Sequence, residues 1–282
     1  MTGRTPRQHN HFAAVTQQKD IMSRVRWAII LVFTVAYPAF AQHKQQDRVE
    51  NSGRVMKEIL RASHTIPQTV LDKADCIVIL PSVIKTSFGL GGSFGRGVMT
   101  CRSGESFRGP WSAPTMMTLI GISAGPQFGA EATDFVLLLM SSRSASSLLT
   151  SKIKLGADAT AAAGPFGRTA SAETDINMRA EILSYSRARG LFAGVSLAGS
   201  TLHADNSGNA KLYGQEISAK DIVFSKAVAA PACAEELLAI LQKATPLNKS
   251  AAHNLQPSTF TAPYEPAQGR RPNVRFSVRS QF

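Results

Sequence analysis

The chain has 282 residues, of which 44% are hydrophobic, and its formal net charge at pH 7 is +12. This composition excludes a collagen-like chain and argues against full disorder, and the length allows one or two domains. A positive surplus suits a surface that meets anions such as phospholipid head groups, nucleic acid or acidic polymers, although charge can also serve solubility alone.

The N-terminal segment has the pattern of a secretory signal. Arg24 and Arg26 precede an apolar run over residues 27–37, and residues 39–41 form a small-x-small cleavage site. The run is shorter than the roughly 20 residues that span a bilayer, so a transmembrane anchor is the weaker interpretation. We expect cleavage after Ala41 and export to the periplasm or cell envelope.

Composition divides the chain into three parts. Residues 1–41 are the N-terminal extension and signal peptide, of which 1–21 are polar and favour a true translation start at Met22. Residues 42–245 are predicted to form the folded domain. Residues 246–282 are rich in proline and basic side chains, which predicts a flexible tail.

The three cysteines are interpreted as a pair and a remainder, because export implies an oxidising compartment. Cys76 begins an apolar, strand-like run and Cys101 ends another, with glycine-rich sequence between them. If the two strands are hairpin neighbours, the sulfurs come within bonding reach, which predicts a Cys76–Cys101 disulfide. The alternative is two buried free thiols. Cys233 is left over, and without a C-x-x-C motif no metal site is expected.

Residues 44–63 are predicted to form an amphipathic helix, because apolar residues from Val49 to Leu60 recur at helical spacing. Two interpretations remain open. The helix lies on an anionic membrane surface, or it packs its apolar stripe on the domain and leaves its charges in water. The basic side chains of this helix are Lys44, Arg48, Arg54, Lys57 and Arg61.

Short apolar runs of strand length alternate with glycine, serine and proline from residue 76 to about 205, which favours an antiparallel sheet. One helix is expected around residues 144–151 and another over 231–243, where proline opens the helix and glutamates fill the early turns. The prediction is an α+β fold, mainly antiparallel β and barrel- or sandwich-like, with an N-terminal amphipathic helix and a C-terminal helix. The predicted strands are 76–80, 97–102, 115–122, 125–130, 134–140, 169–176, 181–187, 190–197 and 199–204.

Five ordered motifs, spread over about half of the chain, resemble the SYLF domain, also called the Ysc84 actin-binding domain. They are Pro81–Lys85 with Phe88–Gly97; Trp111–Pro114; Gly125–Glu131 with Asp134; Leu155–Asp158 with Gly164–Arg168; and Tyr185–Gly194 with Gly199, Asp205 and Tyr213–Gly214.

The resemblance to this family implies a non-catalytic lipid-binding module. Eukaryotic members bind phosphoinositides through basic residues near their N-terminal end, and some bind actin filaments. Bacterial members are usually exported, which fits the signal segment, and they meet no actin in their own cell. We therefore expect an anionic phospholipid membrane as the partner, and not actin.

Basic residues beside the glycine-rich turns and on the first helix are the candidates for contact with lipid head groups, since guanidinium grips phosphate bidentately and lysine acts as a point charge. The alternative is that they are solvated charges or pair with Glu131, Asp134 and Asp158. The candidates are Arg54, Lys57, Arg61, Lys85, Arg96, Arg102, Lys152, Lys154 and Arg168. Four aromatic residues enter a membrane interface, line an acyl pocket or belong to the core: Phe88, Phe94, Trp111 and Phe192.

Other function classes have weaker support. The glycine-rich run lacks the third glycine and following helix of a dinucleotide loop, and it lacks the Gly-Lys-Ser/Thr of a P-loop. The G-x-S-x-G pattern occurs at residues 91–95 and 121–125, but a predicted strand and not a helix follows in both places, which is not the strand-to-helix turn of a nucleophile elbow. No catalytic residue or cofactor is therefore proposed. Export argues against nucleic acid, for which no motif is visible. The main alternative is a structural or protein-interaction domain of the cell envelope that binds no lipid directly.

Overall fold

The computed structural model describes residues 42–62, 66–104, 106–165, 180–188, 191–194, 197 and 199–250. The signal segment, the candidate Arg168, the predicted strand 169–176 and most of the tail lie outside these residues. Among the described helices, none is both long enough and apolar enough to cross a membrane.

The fold is α+β with a mainly antiparallel sheet that curls into a half-barrel, as the sequence predicted. Its helices are α1 (42–61), α2 (Gln68–Leu71), α3 (Ser142–Thr150), α4 (Asn206–Tyr213), α5 (Ala219–Phe224) and α6 (Glu235–Ala244), with a short 3₁₀ turn at Ala232–Ala234 before α6. Its strands are β1 (Cys76–Cys101), β2 (Thr115–Leu139), β3 (Ile153–Lys154), β4 (Ala161–Ala163), β5 (Ile182–Ala188), β6 (Leu191–Gly194) and β7 (Ser200–Ala204).

Two strands of exceptional length, β1 and β2, form the frame of the sheet. They pair antiparallel from Cys76 opposite Leu139 to Met99 opposite Thr115, with register shifts after Leu80 and after Phe88. The five shorter strands predicted over 76–140 are therefore wrong in their boundaries. Glycine and serine between the apolar runs predict turns, but in the structure these residues stay extended. The β1–β2 ribbon bends at its two register shifts without ending.

The far edge of β2 carries two different partners. β5 pairs with the end of β2 over residues 134–139, whereas β7 pairs with its beginning over residues 117–121. β4 and β6 extend the sheet beyond β5, and β3 extends it beyond β7. The β1–β2 ribbon thus joins two small sheet regions, one formed by β4, β5 and β6 and the other by β3 and β7. The curl of the ribbon brings these two regions face to face.

The curl is tight enough that the two halves of β1 touch. A Cβ built at Gly97 would clash with the Ile79 carbonyl oxygen and lie 2.8 Å from the Cα of Leu80. Such a distance leaves no room for any side chain, so glycine at this position follows from the close approach of two backbones.

Buried residues form two clusters on opposite faces of the sheet. Alternation along β1 sends Cys76, Val78 and Leu80 into the interior of the curl, and sends Ile77 and Ile79 to the outer side under α1 and α6. This two-sided burial explains why the run Cys76–Leu80 is continuously apolar.

The first helix is a packed element of the domain. α1 buries Val49, Val55, Met56 and Ile59 completely or nearly so, in the outer cluster that also contains Leu237 and Leu241 of α6. Of the two interpretations of this helix, packing of its apolar stripe on the domain is the one observed. Both other predicted helices are confirmed within a few residues as α3 and α6, whereas α4 and α5 were not predicted.

Candidate functional site

One row of side chains runs across four strands on the outer side of the curl. Phe94 of β1 lies opposite Ile120 of β2, Ile120 lies opposite Thr201 of β7, and Thr201 lies opposite Lys154 of β3. Directly opposite residues of an antiparallel sheet project from the same face, so the four side chains share one surface. Their neighbours along the strands, including Leu119, Ile153 and Leu202, point into the interior cluster.

The row has an apolar part that no other element covers. Phe94 is 46%, Ile120 is 47% and Ile122 is 83% exposed. Ile122 lies two residues beyond Ile120 on the same face, opposite Gly92, which adds no side chain to cover it. Exposed apolar residues that are contiguous, and not scattered singly, are typical of an interaction surface.

A second row, one step along the strands, is basic. Arg96 of β1 lies opposite Thr118 of β2, and Thr118 lies opposite His203 of β7. The Arg96 guanidinium stacks over the Phe94 ring, with 5.4 Å from its central carbon to the ring centroid. This cation–π contact holds the charge directly beside the exposed ring.

Two further cations, besides Lys154 of the first row, lie beside these rows. Lys152 and Lys154 are exposed at β3, and Arg48 comes from α1, next to Val49, which packs in the same cluster as Val98 and Met116. Burial lowers the pKa of Arg48, the nearby charge of Arg96 lowers it further, and Asp205 opposes both. The basic–apolar face is therefore defined by Arg48, Phe94, Arg96, Ile120, Ile122, Lys152, Lys154 and His203.

His203 is the titratable member of this face. Burial lowers the pKa of His203, the charge of Lys152 lowers it as well, and Asp205 acts in the opposite direction. Asp205 also caps α4, where its carboxylate accepts a hydrogen bond of 2.8 Å from the Gly208 amide. The imidazole is partly exposed, but its Nδ1 is buried and has no hydrogen-bond partner among the described residues.

The nine predicted contact residues do not form one site. Arg96, Lys152 and Lys154 meet on the basic–apolar face, and Arg168 lies outside the described residues. Arg48 joins them, although sequence reasoning counted it only among the basic residues of the first helix. The sequence shows that Arg48 lies beside the apolar stripe of α1. It does not show which strands that stripe packs on, and this decides whether Arg48 reaches the face.

The candidates on the later turns of α1 face another helix. Lys57 donates to Glu236 of α6 over 2.5 Å, and Arg54 bonds to Asn51 within α1. The hydrogen bond from Lys57, and then the charges of Lys57, Arg54 and Arg61, lower the pKa of Glu236. Lys57, Arg54 and Arg61 therefore interact with groups of the domain itself. They lie on later turns of α1 than Arg48, which contributes to the basic–apolar face.

Lys85 is also engaged within the protein. Its Nζ lies 4.6 Å from the centroid of the buried Phe135 ring, and Glu131 is its cross-strand neighbour. Burial lowers the pKa of Lys85, while the charge of Glu131 raises it. Its partner Glu131 is one of the three acids considered as alternative partners for the basic residues.

Arg102 lies in the interior and not at the surface. Its side chain is completely buried and stacks 4.1 Å from the centroid of the Trp111 ring. The guanidinium donates to the carbonyl and hydroxyl oxygens of Thr245, beyond the end of α6. Burial lowers the pKa of Arg102 to about 10. Trp111 likewise belongs to the core.

Two other features are distinct from the face. Cys76 and Cys101 form a disulfide, as predicted, and Cys233 is a free, partly buried thiol whose pKa burial raises.

An open cleft of about 560 Å³ lies near α4 and α5. Its lining includes the carboxylates of Glu216 and Asp221, which do not suit an anionic ligand.

The amino-acid sequence is similar to one family model and to several characterised proteins. Residues 120–244 match the family model described as "Ysc84: Las17-binding protein actin regulator". SH3 domain-containing YSC84-like protein 1 from Homo sapiens is 35% identical over 217 residues, which are 77% of this chain and 57% of the relative.

Two proteins from Saccharomyces cerevisiae are also similar. Protein YSC84 is 34% identical over 205 residues, covering 72% of this chain and 43% of the relative. LAS seventeen-binding protein 3 is 33% identical over 204 residues, covering 71% of this chain and 42% of the relative. The chain spans about half the length of these curated relatives. On the family match and these identities, the chain belongs to the Ysc84 (SYLF) family.

Proposed function

We propose that this protein is a non-catalytic module that attaches to anionic phospholipid membranes through the basic–apolar face. The observation that carries the proposal is the pairing, on one sheet surface, of the exposed Phe94, Ile120 and Ile122 with the cations Arg96 and Lys154. Apolar side chains partition into the acyl boundary of a bilayer, while neighbouring cations meet the phosphates.

Charge complementarity favours a membrane as the occupant. Among the described residues, Arg96, Lys152 and Lys154 make no salt bridge, so their charges are available to a partner. Each basic group near an anionic bilayer contributes about 1 kcal/mol. Three such groups acting with the apolar row provide a useful affinity that neither part would provide alone.

The proposed surface is a sheet face and not an amphipathic helix. The apolar stripe of α1 is occupied by the packing of Val55, Met56 and Ile59 in the outer cluster, so it is not free for a bilayer. α1 supplies Arg48 to the edge of the face.

Export remains part of the proposal. The Cys76–Cys101 disulfide supports it, because disulfides persist mainly in oxidising compartments. The membrane met there would be rich in anionic glycerophospholipid head groups.

The test is co-sedimentation of the full chain with phosphatidylcholine vesicles, with and without phosphatidylglycerol. Binding to the anionic vesicles, reduced by salt, is expected, because exposed charges are screened within about 8–10 Å at physiological ionic strength. Arg96→Glu and Lys154→Glu should each weaken binding at least about fivefold, since each reverses a cation worth about 1 kcal/mol. Lys73→Glu is the matched control, because Lys73 is exposed in the segment just before β1 and is not part of the basic–apolar face.

A protein partner is the second candidate, and the names of the relatives favour it, since one is called a LAS seventeen-binding protein. On that account the same face binds an acidic or apolar protein surface of the cell envelope. The wild-type chain would then bind no vesicle of either composition, a result that would overturn the membrane proposal.

A further inference from the structure

His203 lies in the basic–apolar face, where a positive charge on its imidazole would add to the charge of the proposed membrane-binding surface. It lies opposite Thr118, which lies opposite Arg96, so the imidazole belongs to the row immediately beside Phe94 and Ile120. Nδ1 is buried and has no hydrogen-bond acceptor among the described residues, which favours the neutral ring before a partner binds.

The charged groups near His203 come from several neighbouring elements and are mostly positive. Lys152 and Lys154 lie at β3, Arg96 lies on β1, Arg48 lies on α1, and Asp205 follows β7. The facing residue of β2 is the uncharged Thr118. In water, these surroundings and burial favour the neutral imidazole at neutral pH.

An anionic bilayer would reverse this balance. The negative surface potential of the bilayer favours the protonated form of a histidine placed against it. By thermodynamic linkage, protonation of that histidine in turn strengthens the binding of the protein to the bilayer. Histidine is the side chain whose ordinary pKa brings this change into the physiological range.

We propose that His203 makes membrane attachment pH-dependent, so that the protein binds anionic bilayers more tightly at mildly acidic pH than at neutral pH. This inference rests on the proposed function and adds regulation to the same face. His203 acts by supplying one more positive charge beside Phe94 and Arg96. It takes no part in a chemical reaction.

The test measures the affinity of the full chain for phosphatidylglycerol-containing vesicles, whose charge stays constant in the range used, at about pH 7.5 and about pH 5.5. The wild type should gain about fivefold in affinity at the lower pH, as expected for one added charge near the bilayer. His203→Gln should lose that gain, so that this variant binds with the same affinity at both pH values.

Two further variants make the result decisive. His203→Arg, which is always charged, should bind at the higher pH as tightly as the wild type binds at the lower pH. His43→Gln is the matched control, because His43 is exposed on α1 and contacts Asp47 of the same helix; it should keep the full gain.

The outcomes separate the two proposals. No vesicle binding at either pH overturns the proposed function. Vesicle binding by the wild type without a gain at the lower pH, or a gain that His203→Gln retains, overturns the role of His203 alone.

Discussion

The first and last residues of one strand, Cys76 and Cys101, lie with their Cα atoms 4.0 Å apart and their sulfurs bonded. A straight strand of this length would place those atoms about 80 Å apart, at about 3.3 Å per residue. The disulfide therefore closes the curl of β1 on itself, and it does not link two strands of a hairpin as the sequence suggested.

Replacing both bonded cysteines by alanine should lower the free energy of unfolding by about 3 kcal/mol, because the closed loop restricts the unfolded chain. Urea unfolding followed by circular dichroism measures this. Cys233→Ala is the matched control, since Cys233 is a free thiol, and it should change stability much less. Equal stability of the double variant and the wild type would contradict a structural role for the bond.

Gly97→Ala should destabilise the domain by about 3 kcal/mol or more, or prevent folding, because the new methyl group would meet the backbone of Ile79 and Leu80. Gly92→Ala is the control on the same strand, where the nearest atom to a new Cβ is the Gly121 oxygen at 3.7 Å. It should change stability by no more than about 0.5 kcal/mol. Comparable unfolding curves for the two variants would refute the close crossing within β1.

Arg102→Leu should lower the free energy of unfolding by about 3 kcal/mol, because it leaves the buried Thr245 without its charged donor and removes the stack on Trp111. It should also speed proteolysis after α6, where the chain is held by this contact. Arg143→Leu, exposed on α3, serves as the control. Unchanged proteolysis of Arg102→Leu would show that other bonds suffice to hold the segment.

Acid should weaken the bond between Asp72 and Lys249, whose atoms are 2.7 Å apart. Burial alone would raise the pKa of Asp72, but hydrogen bonds from Lys249 and Gln68 outweigh it and lower the pKa below its usual range. The stabilisation is thus present above the unfolded pKa of about 3.9 and is lost as pH falls through the lower folded value.

A double-mutant cycle with Asp72→Asn and Lys249→Met measures that contribution. The coupling free energy should be no more than about 1 kcal/mol at neutral pH, since the lysine side chain is largely exposed, and should vanish in strong acid. A coupling that persists unchanged in strong acid would be inconsistent with an ionised Asp72 as its source.

Phe94→Ser and Ile122→Ser should each reduce binding to anionic vesicles without loss of stability, because both side chains are already exposed in the folded domain. Loss of one apolar group that partitions into the bilayer should cost roughly tenfold in affinity. Leu247→Ser is the control, since Leu247 is as exposed but follows α6. If all three variants bind alike, the apolar row takes no part in attachment.

Local patterns in the sequence were enough for the fold class, for the N-terminal and C-terminal helices and for the cysteine pair. Hydrophobic periodicity and capping residues indicate helices because a helix is determined by residues close together in the sequence. The number of cysteines limits which disulfides can form, whatever the order of the strands. The same patterns predicted too many strands, because a glycine inside a curled strand and a glycine in a turn look alike in sequence.

The site was decided by tertiary structure. Phe94 and Lys154 are 60 residues apart and share one row only because β1, β2, β7 and β3 pair in a particular register. The same curl buries Arg102, although by sequence it was as good a candidate as Arg96. The sequence by itself determined which residues carry charge or apolar surface, whereas only the packing of distant strands decided which of them face water together.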